Sequence, residues 1–162
     1  YWDRVIEEVA KEYPDVAFNK MYIDNASASF VLKPEVFDVI ITTNLFGDIL
    51  SDLGGAIMGS LGLGGSGNIN PEKDFPSMFE PIHGSAPDIA GQDIANPIGQ
   101  IWSAAIMLEH LGEMEAAKDI VAGIEATTTA GNLTVDLGGN ASTSEIAARV
   151  VKHIEAAKLE TV

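Results

Sequence analysis

Cysteine is missing from all 162 residues, which excludes disulfides, zinc–thiolate sites and thiol nucleophiles. Basic residues are scarce: 9 Lys and Arg stand against 24 Asp and Glu, and 9 − 24 leaves a formal charge of −15. Such a surface repels phosphate backbones and anionic headgroups, so neither nucleic acid nor membrane is an expected partner, whereas metal cations are natural ones. No apolar run reaches the length of a membrane span, because Gly, Asp or Asn interrupts every candidate. An initiator Met and a signal-like segment are lacking too. Tyr1-Trp2-Asp3-Arg4 opens directly into a helical pattern, and the expectation is a chain entered partway through, in a reducing, cytoplasmic setting. The sequons at Asn25, Asn132 and Asn140 then count as chance matches. What the chain does have is a hydrophobic content of 46%, too high for disorder and enough for a core.

Residues from Trp2 to about Tyr13 carry Val5, Val9 and Tyr13 near one face, which predicts an amphipathic helix stopped by Pro14. Alternation from Val16 to Asp24 predicts a strand, and Asn25 to Leu32 a short helix ended before Pro34. Phe37-Asp38-Val39-Ile40-Ile41-Thr42-Thr43 is the best strand candidate, β-branched and nearly continuous in apolar character, as expected of a strand buried on both faces. Asn44 offers a cap for a long helix from about Leu45 to Leu61. Gly62 to Pro76, with its glycines and prolines, predicts loop, and Ser77 to Ile82 a short strand before the polar turn 83–88. Ile98, Ile101, Trp102, Ala105 and Ile106 fall on one stripe of a helix from Pro97 that Gly112 ends. Another helix is expected from about Glu113 to Ala126. A capping box, Ser142-Thr143-Ser144-Glu145, opens the last helix, expected to bury Ile146, Val150, Val151 and Ile154. Strands alternating with helices predict an α/β protein.

Two segments carry chemistry. In Asn44-Leu45-Phe46-Gly47-Asp48-Ile49-Leu50-Ser51-Asp52-Leu53, Asp48 and Asp52 project from one side of a helix, one turn apart. Like charges there cost a few tenths of a kcal/mol, a liability that a divalent cation would turn into a site. Spacing alone favours two solvated acids, with Asp24 an unproven third ligand. The second segment, Glu80-Pro81-Ile82-His83-Gly84-Ser85-Ala86-Pro87-Asp88 and on to Asn96-Pro97, combines a small-residue turn able to approach phosphate, a His, and an Asp suited to ribose hydroxyls. The G-x-G-x-x-G fingerprint after a strand is absent; Gly62-Leu63-Gly64-Gly65-Ser66-Gly67 follows a helix instead. By itself that run is a loop, and His83 by itself a hydrogen-bonded structural residue.

Taken together, Asn44 to Leu53 and Glu80 to Pro97 resemble the two signature regions of the β-decarboxylating dehydrogenases, the family of isocitrate, 3-isopropylmalate, homoisocitrate and tartrate/D-malate dehydrogenases. The resemblance runs over nearly the whole chain and implies the C-terminal part of an isocitrate/isopropylmalate dehydrogenase-like two-domain α/β fold. Residues 1–57 would end the small, dimerisation domain, and 58–162 would form the returning part of the large, NAD-binding domain. By the same resemblance Asp48 and Asp52 match carboxylates that bind Mg²⁺ or Mn²⁺. Asp24 matches a third metal ligand reaching in from the neighbouring subunit of an obligate homodimer with shared active sites. Asp24 and Asp48 thereby take catalytic roles. The cofactor positions implied are Glu80 beneath the nicotinamide ribose, His83 and Asn96 near the adenine, Gly84, Ser85, Ala86 and Ile89 along the loop, and Asp88 on the ribose. Relatives specific for NADP have Lys where Asp88 stands; an acid repels a 2′-phosphate and accepts from both hydroxyls, so NAD is expected.

Asn70-Pro71-Glu72-Lys73-Asp74-Phe75-Pro76-Ser77-Met78-Phe79 resembles the tartrate/D-malate branch, although Asn25-Ala26-Ser27-Ala28-Ser29 replaces a stretch that usually carries bulkier residues and an Arg. The family's substrate-clamping arginines, its Tyr acid and its Lys lie upstream of anything present here. The implied activity of the parent protein is NAD- and divalent-metal-dependent oxidative decarboxylation of a 2-hydroxy dicarboxylic acid, tartrate or D-malate. Alternatives are a 3-isopropylmalate dehydrogenase or, in another class, an inactive fragment serving as a metal/NAD-binding or dimerisation module. An acidic calcium module is weaker still, because no D-x-D-x-D-G loop is present.

Overall fold

The computed structural model describes residues 1–160, without the side chains of Lys158 and Glu160. The chain divides into two compact units, Tyr1–Ile41 and Thr42–Val162.

In the first unit, α1 (Trp2–Ala10) is shorter than expected. A residue before proline is pushed out of the α region, and the chain loosens ahead of Pro14 into i→i−3 bonds from Lys11, Glu12 and Tyr13. The strand expected over 16–24 does not form: no backbone ladder joins it to another described segment, and Ile23 already begins α2 (Ile23–Leu32). Asp24 sits in the first turn of α2, where a carboxylate complements the positive end of the helix. A single turn of 3₁₀ helix, Pro34–Val36, follows, and the Phe30 and Phe37 rings meet at 4.7 Å. Ala26 is the buried hydrophobic of this unit.

The best strand candidate also fails. Residues 37–43 carry no ladder, and Val39 is 85% exposed. A β pattern states a preference for pairing, and no described segment of this chain supplies the partner edge. In the second unit Thr43 stands at the N-cap position of α3 (Asn44–Ile57) without a side-chain capping bond, and Asn44 is the first helical residue rather than the cap. It stops short of Leu61 because Gly59, at φ 107°, turns the chain left-handed.

Within the glycine-rich stretch expected to be loop, a 3₁₀ turn (Leu61–Leu63) leads into β1 (Gly65–Asn68). β1 pairs antiparallel with β2 (Met78–Pro81), Gly65 opposite Pro81 and Asn68 opposite Met78. The glycines serve close approach. A Cβ on Gly99 of α4 (Ile98–Leu111) would stand 2.9 Å from the Gly64 carbonyl oxygen and 3.0 Å from that of Gly62. One on Gly65 would stand 2.9 Å from the Ser103 nitrogen. A ladder packed this tightly under a helix has no room for the β-branched residues that announce a strand.

α4 packs on this ribbon and on α5 (Met114–Thr129), and α5 packs on α6 (Thr143–Glu160). Ile98 and Ala105 of the α4 stripe are buried, and Ile101 and Ile106 half-buried; Trp102 lies at the edge. Gly112 ends α4 in the left-handed region at φ 92°, as its position predicts. The capping box at α6 is reciprocal: the Ser142 hydroxyl accepts from the Glu145 N–H at 3.2 Å, and the Glu145 carboxylate accepts from the Ser142 N–H at 2.9 Å. Ile146 and Val150 are buried and Ile154 half-buried, but Val151 is exposed. At five positions from Ile146 it has turned about 140° from the core side, whereas Val150 has turned only about 40°. The α/β class stands, with the strand content of the described residues confined to one antiparallel ribbon. No helix among them is long and apolar enough to cross a membrane.

Candidate functional site

α3 places Asn44, Asp48 and Asp52 four residues apart on one exposed side, opposite the buried Leu50. The Asn44 amide donates to both oxygens of Asp48, at 3.3 and 3.5 Å, and holds that carboxylate along the helix. The ion pairs of the described residues, Lys20–Asp3 and Lys118–Glu115, involve neither Asp48 nor Asp52. Two uncompensated carboxylates one turn apart are hard oxygen donors suited to Mg²⁺ or Mn²⁺, and they fit as part of a shell of about six oxygens. They do not complete one: among the described residues no three His, Asp or Glu side chains converge as a metal site. Asp24 lies in the other compact unit, exposed, with Oδ1 accepting from the Asn25 N–H at 2.8 Å.

The second candidate segment leaves the ribbon at the end of β2. Glu80 is exposed on β2, and its carbonyl accepts from the Ser66 hydroxyl at 2.8 Å. Ile82 seats the chain by donating its N–H to the Gly64 carbonyl at 3.0 Å. His83 is half-buried, its Nδ1 3.0 Å from the Gly84 carbonyl oxygen. Gly84, Ser85, Ala86 and Asp88 are exposed, and a Cβ added to Gly84 would meet nothing within 4 Å. Ala86 adopts φ 39°, where the chain turns back so that Ile89, half-buried, donates to its carbonyl. An open backbone of small residues with an exposed carboxylate beyond it fits a dinucleotide laid along the turn.

The far end of this loop is pinned by residues that spacing did not single out. The Asp93 carboxylate accepts from both the N–H and the hydroxyl of Ser144, at 3.0 and 2.8 Å, while its backbone sits at φ 57°. These Ser144 bonds hold the Asp93 carboxyl below the usual range. Thr143 adds an N–H to the Asp93 carbonyl and a hydroxyl to that of Ala95. Asn96 is buried, its amide donating to Asp136 at 3.0 Å and its oxygen accepting from the Ile98 N–H at 3.0 Å. Asp136, in the 3₁₀ turn Val135–Leu137, also accepts from the Ser60 hydroxyl. Partial burial pushes the Asp136 carboxyl up, but hydrogen bonds from Ser60 and Asn96 help outweigh it and hold it below the ordinary range.

The acidic face of α3 and the anchored loop after β2 both lie within a stretch that a family of dehydrogenases shares. The isocitrate/isopropylmalate dehydrogenase family matches residues 1–150, and the chain belongs to that family. A probable tartrate dehydrogenase/decarboxylase of Agrobacterium vitis is 54% identical over 153 residues, covering 94% of this chain and 43% of that protein. The D-malate dehydrogenase [decarboxylating] of Escherichia coli (strain K12) is 49% identical over 159 residues, covering 95% of this chain and 44% of that protein. The crystal structure of isocitrate dehydrogenase from Methylococcus capsulatus superposes with a TM-score of 0.86 at 42% identity, over 93% of this chain and 44% of that one. The chain thus spans less than half the length of these relatives.

Proposed function

We propose that the protein to which this chain belongs is an NAD-dependent, divalent-metal-dependent enzyme that oxidatively decarboxylates tartrate or D-malate. The observation that carries this reading is the pair of exposed, uncompensated carboxylates on α3, Asp48 and Asp52, within a chain about half identical to decarboxylases of those acids. When bound, Mg²⁺ or Mn²⁺ supplies Lewis acidity toward the substrate hydroxyl and its neighbouring carboxylate, and NAD supplies the hydride acceptor. Asp48 and Asp52 hold the metal. Asn44 keeps Asp48 aligned for it. Asp24 would add a third carboxylate from the neighbouring subunit of a homodimer with shared sites, leaving positions for substrate oxygens. Asp88 takes the adenosine ribose through both hydroxyls and turns away a 2′-phosphate, which makes NAD the cofactor over NADP. Gly84, Ser85, Ala86 and Ile89 line the cofactor, His83 and Asn96 flank the adenine, and Glu80 lies under the nicotinamide ribose.

On the family's plan residues 1–57 close the dimerisation domain, 58–162 return through the large domain, and the protein works in the cytoplasm. NADH formation by the full-length protein with NAD and Mn²⁺, offered D-malate, tartrate and 3-isopropylmalate in parallel, tests the reading. Turnover of the first two and not the third is expected. Preference for 3-isopropylmalate would overturn the substrate assignment, and equal rates with NADP would overturn the role of Asp88.

A further inference from the structure

We infer that Asp136 is a positioning residue for the dinucleotide, acting through Asn96 from a 3₁₀ turn forty residues further along the chain. The inference rests on the reading of 80–96 as the cofactor loop. A carboxamide has two N–H donors and an oxygen with two lone pairs. In Asn96 one donor is given to Asp136 and one lone pair takes the Ile98 N–H. These two partners also fix which end of the amide is which: a carboxylate needs the NH₂ and a backbone N–H needs the oxygen, so a flipped side chain would lose both bonds. What remains is one donor and one acceptor on a single amide whose orientation is held. A paired donor and acceptor of this kind matches the edge of an adenine, which offers an amino group beside a ring nitrogen.

Asp136 is the one charged member of this arrangement. Its carboxylate gathers the Ser60 hydroxyl, just after α3, and the Asn96 amide, at the mouth of α4. The Ser60 hydroxyl oxygen in turn accepts from the Gly62 N–H at 3.0 Å. Three segments remote in sequence are therefore tied to one anion at the end of the loop. Loss of the carboxylate frees the Asn96 amide to rotate, and the cofactor must then meet the cost of ordering it.

The test uses the full-length protein with Asp136→Ala, Asn96→Ala and the double variant. Three quantities are read: NADH affinity by fluorescence, KM for NAD against kcat, and hydrogen exchange of the amides in 83–92. Asp136→Ala is expected to weaken NADH binding and raise KM for NAD by roughly tenfold or more, the size of one charge-assisted hydrogen bond, with kcat within about twofold. Exchange in 83–92 should quicken without NAD present. In the Asn96→Ala background the same change should add less than about twofold, because its effect passes through that amide. Asp136→Asn, which keeps the shape and one acceptor oxygen, should move each quantity the same way by less, and it serves if the alanine variant does not fold. Unchanged affinity and exchange in Asp136→Asn, or multiplying effects in the double variant, overturn the inference. If the unsubstituted protein does not bind NADH, the reading of the loop has failed, while faster exchange in 83–92 still upholds the positioning by Asp136 and unchanged exchange refutes it.

Discussion

The first 41 residues and the three-helix stretch from Ile98 to Ile154 carry apolar patterns of similar clarity and opposite fate. Along α4, α5 and α6, Ile98, Ala105, Ala117, Ile146 and Val150 are buried against one another's helices. In Tyr1–Ile41 the pattern is just as regular, yet Val5, Val9, Phe18 and Tyr22 stand exposed and Ala26 alone among hydrophobics is buried. An apolar stripe states which side of an element seeks cover; it does not supply the cover. Between α4 and α6 the cover arrives within fifty residues, by short connections that fold helices back on one another. For residues 1–41 it does not arrive from their own compact unit.

The sharpest way to break this contrast is to remove a buried side chain from the helical stretch. Ile146→Ala should cost about 2–5 kcal/mol, because α6 cannot collapse around the lost atoms while the capping box and Val150 hold it in place. Urea unfolding with an unchanged slope reads this directly, and a loss under about 1 kcal/mol would mean that the core is looser than its burial says. On α3, exposure has a different meaning. Asp48→Asn in the full-length protein should weaken Mn²⁺ binding by at least about tenfold, as loss of a ligand must exceed loss of a ligand's supporting partner. Titration calorimetry decides it. A merely solvated acid predicts no change in Mn²⁺ affinity and a helix steadier by a few tenths of a kcal/mol once the repulsion with Asp52 is gone.

A smaller effect separates the anchored loop from its surroundings by pH. The carboxyls of Asp93 and Asp136 are both held below their ordinary range, Asp93 by the Ser144 hydrogen bonds and Asp136 by donors that outweigh its burial. Groups lowered in the folded state stabilise it fully above the unfolded value near pH 4, and that contribution is lost as pH falls through the lowered one. Melting temperatures of Asp136→Ala and the unsubstituted protein should therefore differ at pH 7 and converge in acid; a constant gap would sink the linkage. The smallest effect belongs to the first unit. Val9→Ser should change stability by no more than about 0.5 kcal/mol where that face remains uncovered. A loss several times larger in the full-length protein would show that the longer chain or its neighbour covers α1.

What the sequence made legible follows the same division. Helix termini written in local chemistry were readable: Gly112 ends α4, and Ser142 with Glu145 opens α6. Strands were readable only in part, since a ladder depends on a second segment: Ser77 to Ile82 does contain β2, but its partner β1 falls where loop was expected. Residues 16–24 and 37–43 have β character and no ladder partner among the described residues, while Gly65–Asn68 has little β character and gains its partner from Met78–Pro81. In the candidate site, the shared side of Asp48 and Asp52 follows from helical spacing alone. The supports of the loop do not: Asp93 meets Ser144 across 51 residues and Asn96 meets Asp136 across 40, distances at which no sequence period operates.

The near contact of Gly99 with the carbonyls of Gly62 and Gly64 has a consequence for how this chain can be cut and rejoined. With backbone set against backbone, α4 is keyed to the ribbon: sliding it one position would thrust Gln100 or Ile98 where only hydrogen fits. Added length is therefore barred from 61–68 and from the first turns of α4. It can enter in the hairpin loop between the paired ends Asn68 and Met78, where Pro71 to Pro76 stand exposed. An epitope tag or fluorescent reporter spliced between Glu72 and Asp74 would leave the keyed surfaces in register, making that hairpin loop the natural handle for labelling the protein without disturbing the loop that follows.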